Sequence, residues 1–137
     1  MPKLEIPSDI YAQMVAQARA EVPIEACGIL AGTDGKVEKL YRMANADAAS
    51  DHFMMEPAEQ FAVVKDIRSA GLEMLAIYHS HPESPARPSA EDIRLALTPG
   101  VIYVIVSLLD DDSAAKGFLI DDGDVTEVLA TVEDRPE

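Results

Sequence analysis

The sequence predicts a single α/β domain over residues 1–137, a mixed sheet covered by about three helices. Three observations predict it. Apolar residues recur at helical spacing in separate segments, short apolar runs of strand length lie between them, and the two kinds of segment alternate along the chain. With 137 residues, 48% of them hydrophobic, the chain can bury one core without disulfide support.

The first helix is expected from Ser8, read as its N-cap. Ile10, Tyr11, Met14, Val15 and Ala18 repeat on one face, and Pro23 lies past the end. Residues 24–31 form an apolar run with Gly28 inside it. Thr33-Asp34-Gly35 is a turn, and Val37, Leu40, Tyr41 and Met43 mark a second strand, so a hairpin is expected. Residues 44–51 are small and polar and read as a loop, followed by a short strand at 52–55. Pro57 suits the first turn of a second helix, along which Phe61, Val64, Ile67 and Arg68 run, with Gly71 at its C-terminal cap. A buried strand at 74–78 ends at His79. Residues 80–88 hold three prolines and are expected to be irregular. A third helix is expected from Ser89 to about Leu97, and the strongest strand over 101–109. Asp110-Asp111-Asp112 reads as a loop, and strands at 117–120 and 125–132 flank the turn Asp121-Asp122-Gly123.

Charge and cysteine content exclude several function classes. There are 25 acidic and 11 basic residues, a net charge of -14, so repulsion from phosphate argues against a nucleic-acid partner. The acid excess reads either as a solvated acidic surface or as adaptation to salt. Cys27 is the only cysteine, which rules out an intrachain disulfide and zinc sites built from C-x-x-C pairs. It reads as a small buried hydrophobe. No apolar run of 18 residues or signal-peptide pattern is present, so a cytoplasmic protein with no membrane partner is expected. Nothing in the pattern specifies an oligomer.

The chemistry concentrates after the strand that ends at His79. His79 and His81 stand at i and i+2 on an extended segment, so both imidazoles point to one side. Asp92 follows eleven residues after His81, in the first turn of the next helix, where a loop can bring its carboxylate back. Two nitrogens and one oxygen make a three-ligand zinc site with a fourth position for water, the catalytic type of site. A base must take the proton of that water, and the spacing alone does not say which. A hydroxyl, Ser80 or Ser89, would support the oxyanion. Each piece also has a plainer reading. Ser89 and Asp92 form S-x-x-D, a near relative of the capping box, and a lone H-x-H occurs by chance. Their coincidence within fourteen residues, beside a proline-rich loop, favours the metal site.

The string HSHPESPARPSAED, from His79 to Asp92, resembles the signature of the JAMM metallopeptidases, the active branch of the MPN domain. That signature also needs a distant glutamate opening an apolar strand, and Pro23-Ile24-Glu25-Ala26-Cys27-Gly28 fits it. The resemblance covers residues 23 to about 109. It implies a curved mixed sheet wrapped by helices, zinc held by His79, His81 and Asp92, Glu25 as the base, Ser89 supporting the oxyanion, and Ser80 as a packing residue behind them. It further implies hydrolysis of the peptide or isopeptide bond after the C-terminal Gly-Gly of a ubiquitin-like or sulfur-carrier protein. The alternative is a non-catalytic MPN-type module that binds ubiquitin-like proteins, against which every motif position is present. A deaminase is excluded because its P-C-x-x-C element needs two cysteines. Around the motif, His52 and Glu21 read as structural and surface residues, and Arg87 as a loop residue able to meet a substrate carbonyl or carboxylate.

Overall fold

A computed structural model describes residues 3–98, 100–109 and 115–134. Its elements in chain order are β1 (Lys3–Pro7), α1 (Ser8–Glu21), β2 (Cys27–Thr33), β3 (Lys36–Met43), α2 (Pro57–Ser69), β4 (Glu73–His81), α3 (Ala90–Leu95), β5 (Ile102–Ser107), β6 (Ala115–Asp121) and β7 (Asp124–Glu133). The strands curl into a closed ring in the order β1-β3-β2-β4-β5-β6-β7, with β7 returning to β1. The expected α/β class with three helices is therefore what the chain adopts, and the sheet's curvature goes as far as closure. The ring is thinnest where β1 meets β3, at the single pair Glu5↔Lys36.

The sheet is buried on both faces, which explains the unbroken apolar runs of the central strands. On one face Ile10 and Met14 of α1 pack with Leu4, Ile6, Leu30, Ala76, Tyr78, Val104 and Val106. On the other, Ile67 of α2, Met55 and Ala86 pack with Cys27, Ile29, Ile77, Tyr103, Ile105 and Phe118. Strand alternation puts His79 and His81 on the second face together with Ile77, whereas Ser80 points to the first.

The expected hairpin forms, and the two late strands pair as a second one across their turn. Asp34 and Gly35, then Asp122 and Gly123, take positive φ between the paired residues Thr33↔Lys36 and Asp121↔Asp124, the two-residue turns that match strand twist. Gly71, at φ +72°, ends α2. Its amide bonds the Arg68 carbonyl, and the Leu72 amide bonds that of Ile67, so two otherwise orphaned carbonyls are satisfied.

Several expectations need correction. β1 precedes the first helix; its alternation of exposed Lys3, buried Leu4, half-buried Glu5 and buried Ile6 is the strand signal. Ser8 is the first helical residue, Pro7 occupies the cap position, and no side-chain capping bond forms. Residues 52–55 supply only a bridge from Met55 to Asn45. Phe61 does not face the core: it is 73% exposed, and Ile67 is the buried residue of α2. β4 runs through His79 to His81, so irregular backbone begins at Pro82. Helix α3 stops at Leu95. The expected loop 110–112 lies outside the described residues.

Candidate metal centre

Three segments meet at one end of β4. The strand brings His79 and His81, α3 brings Asp92, and the chain just before β2 brings Glu25. All four side chains are buried, Glu25 and His81 at 3% exposure and His79 at 1%. Parallel pairing of β4 with β5 seats both histidines deep in the sheet, opposite Ile105 and Ser107.

Three potential ligand atoms converge. His79 Nε2 lies 3.1 Å from His81 Nε2, and Asp92 Oδ2 lies 3.2 Å and 3.0 Å from them. A tetrahedral ion with ligands at about 2.0–2.1 Å separates neighbouring ligand atoms by about 3.3 Å, close to this triangle. His81 Nδ1 donates to the Pro85 carbonyl at 2.8 Å. In the neutral ring that bond leaves the Nε2 lone pair facing the triangle, while the protonated ring donates from Nε2 to Asp92. The proline-rich loop thus has a definite task, presenting one carbonyl to the back of the His81 ring. His79 is held by packing: its ring stacks on Phe53 with centroids 4.8 Å apart, and its Nδ1 has no partner. Two nitrogens and a carboxylate pressed together in a buried place suit a divalent cation.

Asp92 serves two structures at once. Its Oδ2 accepts the Ser89 amide at 2.9 Å, and the Ser89 hydroxyl accepts the Asp92 amide at 3.0 Å, a complete capping box for α3. The same oxygen faces both histidines. The capping box and a position facing both histidines, which compete as readings of S-x-x-D, coexist here. Ser89 is exposed, and because its oxygen accepts the amide, its hydroxyl proton is left to donate outward.

The electrostatics follow from this geometry. Burial acts to raise the Asp92 carboxyl, but hydrogen bonds from His79 and His81 prevail and hold it far below the usual range. Burial pushes the His79 imidazole down. For His81 burial is outweighed by Asp92 and the Pro85 carbonyl, and its affinity for a proton rises. Glu25 stands apart from the triangle, with a carboxylate oxygen within 4.8 Å of the histidine nitrogens. Its Oε1 is buried without a partner. Burial lifts its pKa to about 7, against the attraction of His81 and with help from Asp92. A carboxylate so placed is set to exchange protons near neutrality.

The family profile described as prokaryotic homologs of the JAB domain matches residues 7–118. The chain belongs to this family, the prokaryotic branch of the JAMM proteins. Among its JAMM relatives, a Mycobacterium tuberculosis protein named CysO-cysteine peptidase is 38% identical over 135 residues, covering 96% of this chain and 92% of that one. A Haloferax volcanii desampylase is 33% identical over 112 residues, 77% of this chain and 81% of that one. The solution structure of a Desulfitobacterium hafniense protein superposes with a TM-score of 0.89 at 42% identity, covering 98% of this chain and 95% of that one.

Around this JAMM centre the structure places the other residues that the sequence raised and adds Asn45, which it did not. Ser80, inside the motif, points away from the histidines, and its Oγ accepts the Ala26 amide at 2.8 Å, bracing the residue next to Glu25. Asn45 lies buried on the other side, donating to the Glu25 carbonyl at 3.0 Å. Its only sequence signal was a polar residue in a loop otherwise small and featureless. His52 sits at the rim between Asp51 and Asp47, whose hydrogen bonds raise its pKa. Arg87 is exposed. Cys27 is fully buried, with its thiol pushed up to about 12 by burial, so it is chemically quiet. Beside the triangle an apolar groove of about 380 Å³ opens between Phe53, Met54, Pro57, Leu95 and Leu97. Among the described residues no helix is long and apolar enough to cross a membrane.

Proposed function

We propose that the chain is a zinc-dependent peptidase that hydrolyses the bond after the C-terminal Gly-Gly of a ubiquitin-like sulfur carrier, releasing an attached amino acid or extension. The observation that carries this reading is the meeting of His79 Nε2, His81 Nε2 and Asp92 Oδ2 beside the unpartnered carboxylate of Glu25. Zinc held by those three residues would supply a Lewis acid and a water acidic enough to ionise near pH 7. Glu25 accepts the proton of the attacking water and returns it to the leaving amine. Its raised pKa suits both transfers, since it is strong enough as a base and weak enough to give the proton back. The Ser89 hydroxyl donates to the oxyanion. The substrate class is drawn from relatives named CysO-cysteine peptidase and desampylase. The apolar groove beside Phe53 and Leu95 is suited to the chain leading into the scissile bond. Two glycines allow a backbone to lie close against a buried metal where larger side chains would clash.

The test uses zinc-loaded protein and a small carrier ending in Gly-Gly-Cys, with products read by mass. Cleavage after the second glycine is expected, with loss in Glu25→Gln by about 10²–10⁴-fold. Ser89→Ala should lower kcat by about 10²–10³-fold with little change in substrate affinity. Absence of cleavage by zinc-loaded wild type, on carriers both with one added residue and with an isopeptide-linked lysine, would overturn the reading.

A further inference from the structure

Glu25 has an unusual support. Strand pairing of β2 begins at Cys27, with Met43 on one side and His79 on the other, so Glu25 lies outside the ladder. Both of its backbone polar groups are bound by the segment 44–55. Its amide donates to the Ala49 carbonyl at 2.9 Å, and its carbonyl accepts from Asn45 Nδ2 at 3.0 Å. The inward Oε1 has no partner of its own. The position of the carboxyl is therefore inherited from a backbone that this segment holds.

Asn45 is the hub of that segment. Besides Glu25, its Nδ2 reaches the carbonyls of His52 at 3.0 Å and Ala49 at 3.4 Å. Its Oδ1 accepts the amides of Asp47 and Met54, each at 3.1 Å. One amide group uses its full donor and acceptor capacity, in a buried place, on a loop with no regular structure. Between two of its partners, His52 and Met54, lies Phe53, whose ring stacks on His79.

We propose that Asn45 is a positioning residue: it sets the approach of Glu25 to the metal triangle by holding the Glu25 carbonyl against the 44–55 loop. The inference rests on the reading of Glu25 as the base. The hydrogen bonds of Asn45 go to none of His79, His81 and Asp92, and it acts through the backbone of Glu25. Two consequences separate this from a general stabilising role. Loss of Asn45 should damage proton transfer more than metal binding, since His81 and Asp92 are oriented by the 82–89 loop and α3, and the backbone of His79 is fixed within β4 even if its Phe53 neighbour shifts. Its effect should also vanish when Glu25 has no proton to move.

The experiment compares Asn45→Ala and Asn45→Asp in wild-type and Glu25→Gln backgrounds. Asn45→Asp keeps the acceptor for Asp47 and Met54 and replaces the donor to the Glu25, His52 and Ala49 carbonyls by an oxygen that repels them, a second disruption of the same support that does not depend on Asn45→Ala folding. Both variants should keep one zinc per chain and lose kcat on the order of 10²-fold, the cost of a catalytic group displaced by about an ångström, with KM little changed. In Glu25→Gln, under single-turnover conditions, Asn45→Asp should cost no more than about threefold further. Independently of turnover, amide hydrogen exchange should accelerate at Glu25 and stay unchanged at Ala26, whose amide is held by Ser80. Equal rate losses in both backgrounds, or unchanged exchange at Glu25 in both variants, would overturn the proposal. If wild type itself cleaves nothing, the proposed function fails, while the exchange measurement still decides what holds Glu25.

Discussion

The two loops that flank the centre are built on opposite plans. Residues 82–89 carry Pro82, Pro85 and Pro88, whose rings fix φ before the chain folds. This loop needs little further support: the Ser107 hydroxyl on the Ser84 carbonyl, and the Arg87 amide on that of Pro85. Residues 44–55 contain neither proline nor glycine, and Ala48 even takes a positive φ of 46°. Their shape comes from long-range bonds, above all those of Asn45. The stiff loop orients His81 and Asp92, and the bonded loop holds Glu25 and sets Phe53 against His79. A metal triangle tolerates little displacement in any direction, so covalent stiffness suits it. A proton carrier must reach both the water and the leaving group, so a support that can adjust is no handicap.

The largest effect expected from breaking this contrast is at His81. His81→Ala removes both a ligand and the anchor to Pro85, and zinc content measured after dialysis should fall from one per chain to near zero. Full zinc retention would show that the stiff loop does not serve the ligands.

A smaller effect lies on the base side and is read without metal. In metal-stripped protein Glu25 has a folded pKa of about 7 against an ordinary value of 4.5. The folded state then binds more protons than the unfolded state between those values. Stability falls as pH rises through that window and is fully depressed above it. Glu25→Gln cannot ionise, so stripped Glu25→Gln should melt above stripped wild type at pH 8. The difference should shrink to almost nothing at pH 4.5. A gap independent of pH would mean that burial does not raise this carboxyl.

The smallest effects test the two plans directly by denaturant melting. Pro88→Ala should cost about 0.4–1 kcal/mol by freeing the unfolded chain. Ala48→Gly should be neutral or stabilise by up to about 1 kcal/mol, because relief of the left-handed conformation offsets added chain entropy. Reversed signs would remove the distinction between the loops.

The same contrast explains what could be read beforehand. Hairpin turns, the proline-rich loop, the histidine pair and the capping serine are local devices, and each leaves a mark within a few residues. The α/β class and the three helices were legible for that reason. Asn45 bonds Glu25 across twenty positions of sequence and left no local mark. Nor did the closure of the sheet, since β1 finds β7 at the far end of the chain. Helical periodicity set Phe61 and Ile67 along one helix without saying which of them the core would take. α2 turns Ile67 inward and leaves Phe61 facing out.

As a metal ligand, Asp92 would take part in two equilibria at once, the folding of α3 and the binding of an ion. Its carboxylate is locked by the Ser89 amide as part of the start of α3, and that lock is made by protein atoms alone. The entropy of ordering this ligand is thereby spent in folding and not charged again when an ion arrives. The histidines, fixed within β4, share the property. A site of this kind behaves as a rigid mould: emptying it with a chelator leaves the cast standing, refilling needs no refolding, and metal affinity reports the chemistry of the three donors with little contribution from rearrangement of the chain.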